Sequence, residues 1–464
     1  MVKKSEFVPL GLQRKIRYSF MYKQKRDMKF YACIFAVFPL CALANEDCAT
    51  MRHVPDKEIS LVEVVDLGLC RNPNTAAAYA TLQSARFTKN AAHSYYLPSV
   101  SGNVGANRSH TDHEDWDYTG SLSASYLIFD FGKRESDFAQ TLATYRAAGF
   151  DYDETIQNFV YSIIGAYYAL LNADADVKSA KSALTVAQTA KDTADKKYKA
   201  GAVARADVYK ADTTLASSQL ELERAKNNRE ITKGTLLNIL SFAVEENIKI
   251  KDMPATFGSD AESNDIDKLI KIAREKRPDL LKAKSQTNAA WHRRNSAFLK
   301  NLPSISVNAG VNVNDNTFGG MFEHMSIKVK GNIGISASMP IFTGFLNYYN
   351  ARSASSDYEN IKYTEQNVEN NAMMDVFTAY QNYKTAQTVL KQTETLLKSA
   401  TESEHVTAGM YKVGRATMLD WQTAQAELVD ARKQNNSAKY DLFIKRAAVA
   451  LAIGDIKNGL KENK

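Results

Sequence analysis

Four stretches of the chain alternate between apolar and small polar residues. In 304–314, Ile305, Val307, Ala309, Val311 and Val313 stand between Ser304, Ser306, Asn308, Gly310, Asn312 and Asn314. In 326–342, Ile327, Val329, Ile333, Ile335, Ala337, Met339 and Ile341 alternate with Ser326, Lys328, Lys330, Asn332, Ser336 and Ser338. Residues 118–129 set Tyr118, Leu122, Ala124, Tyr126 and Ile128 against Thr119, Ser121, Ser123 and Ser125. Residues 99–109 do so more weakly, with Val100, Val104 and Ala106 against Ser99, Ser101, Asn103 and Asn107. A period of two predicts strands with one apolar and one polar face. Elsewhere the period is seven. Ala166, Ala173, Ala180, Ala187 and Ala194 recur at that spacing, each followed four residues later by Leu170, Val177, Leu184, Lys191 or Tyr198. Strict seven-residue spacing predicts a left-handed coiled coil, in which small residues let helix backbones approach.

The pattern occurs twice. Leu97-Pro98-Ser99 recurs as Leu302-Pro303-Ser304. Ile128-Phe129 recurs as Ile341-Phe342, and Tyr198-Lys199-Ala200-Gly201 as Tyr411-Lys412-Val413-Gly414, both at a shift of 213. The alanine register repeats at that shift as Ala379, Ala386, Thr393, Ala400 and Thr407. Each copy predicts a preceding helix (61–96 or 266–300), a strand pair and a long helical hairpin, 133–242 or 346–453. No proline lies between Pro98 and Pro254 or after Pro340, which leaves room for very long helices. An unbroken helix over 133–199 would be about 100 Å long. Gly201 and Gly414 mark the hairpin turns, while Pro98, Pro303, Gly132 and Gly344 mark the helix–strand junctions. The organisation read from this is 1–44 leader, 45–242 first repeat, 243–265 connector, 266–454 second repeat and 455–464 tail.

Composition changes the picture mainly at the N-terminus. The formal charge is +7, yet nine of the 59 basic and two of the 52 acidic residues fall in 1–44, and the rest is balanced. Basicity therefore gives no argument for nucleic acid. Lys23, Lys25, Arg26 and Lys29 precede the apolar run Phe30–Leu40 and the small-x-small site Ala42-Leu43-Ala44, the pattern of a secretory signal peptide cleaved near Ala44. Met28 is the more natural start. Of four cysteines, Cys48 and Cys70 outlast the leader, and an exported chain with such a pair points to a disulfide. Loops 109–117 and 315–324 carry Trp116, Tyr118, Phe318 and Phe322 at their ends, where an interfacial aromatic girdle belongs. His110, Asp112, His113 and Glu114 read as a solvated loop rather than a metal site. No phosphate-binding loop and no nucleophile–base arrangement stands out, so neither a cofactor nor an enzyme is expected.

Ten-residue strands with one apolar and one small polar face fit a membrane barrel with a wet lumen. Four strands cannot close one, and lipid does not tolerate open edges, so the barrel must be shared between chains. With the duplication, the Leu-Pro-Ser entries, the exits Leu127-Ile128-Phe129-Asp130-Phe131-Gly132 and Pro340-Ile341-Phe342-Thr343-Gly344, and the two Tyr-x-x-Gly turns, the chain resembles the TolC-like outer-membrane factor family. Cys70-Arg71-Asn72-Pro73 is similar to its type I secretion branch.

The resemblance implies an α+β homotrimer: a shared twelve-stranded outer-membrane barrel in lipid, continuous with a periplasmic α-helical coiled-coil tunnel. It implies a passive exit duct of a tripartite efflux pump or type I secretion system, opened by docking of a periplasmic adaptor (membrane fusion) protein and an inner-membrane pump or ABC transporter. It places the gate at the hairpin tips. There Asp420 matches an acidic constriction residue, and Thr423 stands one turn on, where some members carry a second acid. Tyr411 and Arg415 lie at the preceding turn, Arg415 one position before the usual latch arginine, with Asp207 as the inter-helix partner. Asp207 and Asp420 also read as N-terminal caps of the returning helices. Two other classes share the long hairpins. A periplasmic adaptor has a single hairpin set in small β-domains, and a structural coiled coil needs no amphipathic strands.

Overall fold

In the computed structural model the described residues are 54, 56–110, 114–252, 265–315 and 328–456. The chain divides after Glu46, and the following concerns Asp47–Lys464 alone. The signal peptide, Cys48, Asp112, His113, Phe318 and Phe322 lie outside the described residues, as do the side chains of His110, Glu114 and Trp116.

The elements run β1 (Glu58–Ile59), α1 (Leu61–Arg71), α2 (Pro73–Ala91), β2 (Ser99–His110), β3 (Glu114–Phe129), α3 (Lys133–Lys199), α4 (Arg205–Ile239), β4 (Lys249–Ile250), α5 (Ile266–Lys276), α6 (Pro278–Leu299), β5 (Ser304–Asp315), β6 (Lys328–Ser338), α7 (Leu346–Lys412) and α8 (Met418–Ala452). Helices α3 and α7 each hold 67 residues, about 100 Å of continuous helix.

Four strands form one antiparallel sheet in the order β2-β3-β5-β6, and β1 pairs with β4 in a separate two-stranded parallel sheet. The register of the four-stranded sheet places successive residues on alternate faces. Val100, Ala124, Ala309 and Ile333 are neighbours across all four strands, and Ser99, Ser125, Asn308 and Gly334 form the next row. The polar face is bonded to itself: Ser125 Oγ donates to Asn308 Oδ1 (2.8 Å), and Asn308 Nδ2 donates to Ser336 Oγ (2.9 Å). A bulge between Leu127 and Phe129 ends the β3–β5 ladder where β3 gives way to α3. The outer edges of β2 and β6 are unpaired among the described residues.

Several sequence expectations shift. The helix expected over 61–96 breaks at Asn72 and closes with a 3-10 turn at Ala92–Tyr96. The one expected over 266–300 breaks at Arg277. Pro73 and Pro278 cause both breaks, since a proline drives the residue before it out of helical geometry, to ψ 126° at Asn72 and 124° at Arg277. Residues 109–110 and 114–117 belong to the strands, because the ladder continues from Arg108↔Trp116 to His110↔Glu114. Strand β6 stops at Ser338, before Pro340, which has no N–H for a ladder. Within the hairpins expected over 133–242 and 346–453, the returning helices run Arg205–Ile239 and Met418–Ala452.

Both long helices run the full length. On the sheet side, α2, α3, α6 and α7 pack side by side; on the turn side the order is α4, α3, α8, α7. The seven-residue register faces these contacts: Ala173, Ala180, Ala187, Ala194, Ala386 and Ala400 are buried, as is Thr393. The largest core lies at mid-height, where Tyr167, Tyr168, Leu236, Leu240 and Leu269 are fully enclosed with β1, β4, α1 and α5 around them. Asn72 Nδ2 ties the first helix break to Ile239 O, and Arg277 Nη1 ties the second to Ala452 O. Cys70 is disulfide-bonded; its partner lies outside the described residues.

Candidate functional site at the hairpin tips

Both hairpins turn by the same device. At the C-terminus of α3, Gly201 adopts φ 73°, its N–H bonds Tyr198 O (2.9 Å), and Ala202 N bonds Lys197 O (2.8 Å). At the end of α7, Gly414 adopts φ 81°, with Gly414 N on Tyr411 O (3.1 Å) and Arg415 N on Met410 O (2.8 Å). A left-handed glycine that lets the chain cap its own last carbonyls is the Schellman solution. The helix–strand junctions Gly132 and Gly344 are also left-handed, each beside a phenylalanine, Phe131 or Phe345, with positive φ. At the first junction the buried Asp130 accepts from Arg134 N (2.8 Å), and Arg134 Nη1 donates to Leu127 O (3.0 Å). Pro98 and Pro303 each stand one residue before a strand.

The two turns share a small core. Ala190, Ala194, Ala211, Tyr411, Met418 and Trp421 are buried together, one cluster drawn from all four hairpin helices. Tyr411 packs its ring on Trp421 at 5.3 Å, and Trp421 Nε1 donates to Glu404 Oε1 (2.9 Å). Burial, then the charge of Asp207, pushes the Tyr411 hydroxyl above its ordinary range. That hydroxyl has no hydrogen-bond partner among the described residues.

Asp420 is the third residue of α8, and the N-cap is Thr417. Asp420 Oδ2 accepts from Thr417 N (2.8 Å) and Thr417 Oγ1 (2.7 Å), while Asp420 N donates back to Thr417 Oγ1 (3.2 Å). This capping box holds the Asp420 carboxyl below its ordinary range, the Thr417 hydroxyl contributing most. Thr423 lies one turn on, exposed, its hydroxyl turned back to Leu419 O (3.0 Å). Glu427 is exposed a further turn along. The expectation that Asp207 and Asp420 are themselves caps is corrected: the N-caps are Ala204 and Thr417, because each helix already starts two residues before its aspartate, at Arg205 and Met418. Arg415 is exposed, and its side chain meets no acid among the described residues; within one chain it is not joined to Asp207.

Other residues join the hairpins. Lys197 Nζ lies 4.2 Å from the centre of the Tyr411 ring and donates to Tyr411 O. Gln422 Nε2 donates to Lys210 O (3.0 Å) and Thr214 Oγ1 (2.6 Å). Higher on α8, Gln425 Nε2 reaches Ala183 O (3.2 Å), Arg432 Nη1 reaches Ser182 Oγ (3.2 Å) and Asn436 Nδ2 reaches Ser179 Oγ (3.3 Å). The seam between repeats is thus threaded by polar bonds, whereas the alanine register lines the hairpins. Sequence reading passed over Lys197, Trp421 and Gln422. Their signal is asymmetry: at the 213 shift they face Met410, Val208 and Tyr209.

Over 65% of its length, this chain is 22% identical to Protein CyaE of Bordetella pertussis, spanning 64% of that protein. It is 20% identical to Toxin and drug export protein A of Aggregatibacter actinomycetemcomitans over 85% of this chain and 86% of that one. It is 22% identical to Outer membrane protein TolC of Escherichia coli over 73% and 69%. Among solved structures, the outer membrane protein VceC of Vibrio cholerae superposes with a TM-score of 0.74 at 20% identity, covering 85% of this chain and 96% of that one. The open state of the MtrE outer membrane channel of Neisseria gonorrhoeae gives 0.73 at 19%, covering 85% and 89%. The fold is therefore that of TolC-like channels, with the barrel left open in a single chain. The duplicated architecture is itself what the family description covers, in two segments that coincide with the repeats, residues 64–241 and 269–455, and the chain belongs to the outer membrane efflux protein family.

Proposed function

We propose that three copies of this chain form an outer-membrane channel continuous with a periplasmic tunnel, the passive exit duct of a tripartite efflux pump or type I secretion system. One observation carries this reading. The four-stranded sheet has one mainly apolar and one mainly polar face, two outer edges unpaired among the described residues, and two roughly 100 Å helices continuing from it. An open edge is not tolerated in lipid, so a sheet of this kind is completed by further copies. Edge β6 of one copy meets edge β2 of the next, a head-to-tail contact that closes as a ring.

The hairpin tips form the gate. Asp420, on an exposed strip with Thr423, comes close to its copies around the axis, where like charges repel. Tyr411, Arg415 and Asp207 border it, and Gly201 and Gly414 set the level of the turns. Docking of a periplasmic adaptor and an inner-membrane pump separates the tips, and energy enters from that pump. Cys48 is the partner of Cys70, anchoring the mature N-terminus to α1.

Purified protein in mild detergent is expected at three times the chain mass and, in planar bilayers, to give discrete conductance steps. A monomer without conductance overturns the reading. Asp420→Ala is expected to raise single-channel conductance; unchanged conductance removes Asp420 from the gate.

A further inference from the structure

We propose that Lys197 is the latch that holds the two hairpins of one chain together at the tip, in the place the arginine–aspartate pair was expected to fill. The inference rests on the duct reading above.

Lys197 leaves the last turn of α3 and engages the last turn of α7 in two ways. Its ammonium lies 4.2 Å from the Tyr411 ring centre, and it donates to the Tyr411 carbonyl. That carbonyl already accepts from Gly414 N at 3.1 Å, so both its lone pairs are used. It also stands at a helix C-terminus, where the backbone dipole favours a cation. Tyr411 is a firm anchor, 2% exposed and wedged against Trp421. A cation seated there holds the second hairpin to the first, not merely to solvent.

The ordinary role of lysines in a last turn is to complement their own helix dipole, and Lys196 and Lys199 share that turn. Both are exposed and form no ion pair or side-chain hydrogen bond among the described residues, whereas Lys197 is half-buried and reaches across. The second repeat has no reciprocal cation: the equivalent position is Met410, itself 46% exposed. The latch therefore closes the seam inside a chain. Gln422, bonded to Lys210 O and Thr214 Oγ1, is its neutral neighbour on that seam.

The test is the full-length oligomer in planar bilayers, with Lys197→Met, Lys197→Arg and Lys199→Met compared with the parent. Methionine is what the other repeat carries at this position, and Lys199→Met removes the same charge from the same helix end. Loss of one charge-assisted hydrogen bond is expected to raise the open-to-closed ratio about tenfold in Lys197→Met. Lys199→Met and Lys197→Arg are expected at the parental level. Equal conductance in Lys197→Met and Lys199→Met, or a Lys197→Arg as leaky as Lys197→Met, overturns the latch. Should Lys197→Met fail to assemble, Gln422→Leu serves: a leak supports a polar latch on this seam, and parental closure counts against it. If the parent itself forms no channel, the duct reading fails. If the parent conducts and these variants match it, only the latch does.

Discussion

At the scale of single residues, the tip separates groups that hold from groups that are merely near. The buried Tyr411 hydroxyl lacks a partner among the described residues, and removing an unsatisfied buried polar atom is close to neutral or stabilising. Tyr411→Phe is thus expected to leave closure intact, since the ring, the backbone carbonyl and the Lys197 contact all remain; single-channel recording reads this directly. Asp420 behaves differently. Its carboxyl is held below the ordinary value of 3.8 by Thr417, so its contribution to the first turn of α8 is present above that value. The contribution is lost as pH falls through the lower folded value. Thr417→Val releases the carboxyl toward its ordinary value. The midpoint of any acid-induced conductance step is expected to move to higher pH in Thr417→Val and to vanish in Asp420→Asn, as measured by titrating the bath. The carboxylate at 420 was legible from its place after the turn. Lys197 was not, because a lysine in a last turn looks like any other until the partner helix is in view.

At the scale of elements, the long helices were legible because a strict seven-residue spacing and the lack of proline leave few alternatives. Their shorter companions were less so. A proline near the start of a periodic segment reads equally as a first-turn residue or as a break, and at Pro73 and Pro278 it is both, opening one helix while ending another. The strands were legible in face but not in length, since pairing with a partner carried β2 and β3 through residues that look like loop. Two predictions belong here. Ile333 lies on the apolar face of β6 and Ser336 on the polar one. Ile333→Arg is expected to cost about 2–4 kcal/mol at mid-membrane depth. Ser336→Arg is expected to fold with little loss, as compared by urea titration of protein inserted in vesicles. Within the hairpins, Ala187 is fully buried, and Ala187→Leu overpacks the seam at a cost of about 1–3 kcal/mol. A lower dissociation temperature of the oligomer on native gels measures it.

At the scale of the whole molecule, the two repeats meet in the middle of the sheet, where β3 pairs with β5, and β2 and β6 are its outer strands. That central seam fixes an order of events during biogenesis. The Ser125–Asn308 bond joins residues 183 positions apart, so β3 has no partner on that side until the whole first helical hairpin and α5 and α6 have been made. Pairings of such long range are slow, and a bare strand edge is the part of an unfinished chain most prone to aggregation. By contact range, the helices are expected to form from local contacts before the sheet is complete. The β2–β3 hairpin is thus complete in sequence long before the strand that covers its inner edge exists, and β3 keeps a bare edge until the second half of the chain arrives.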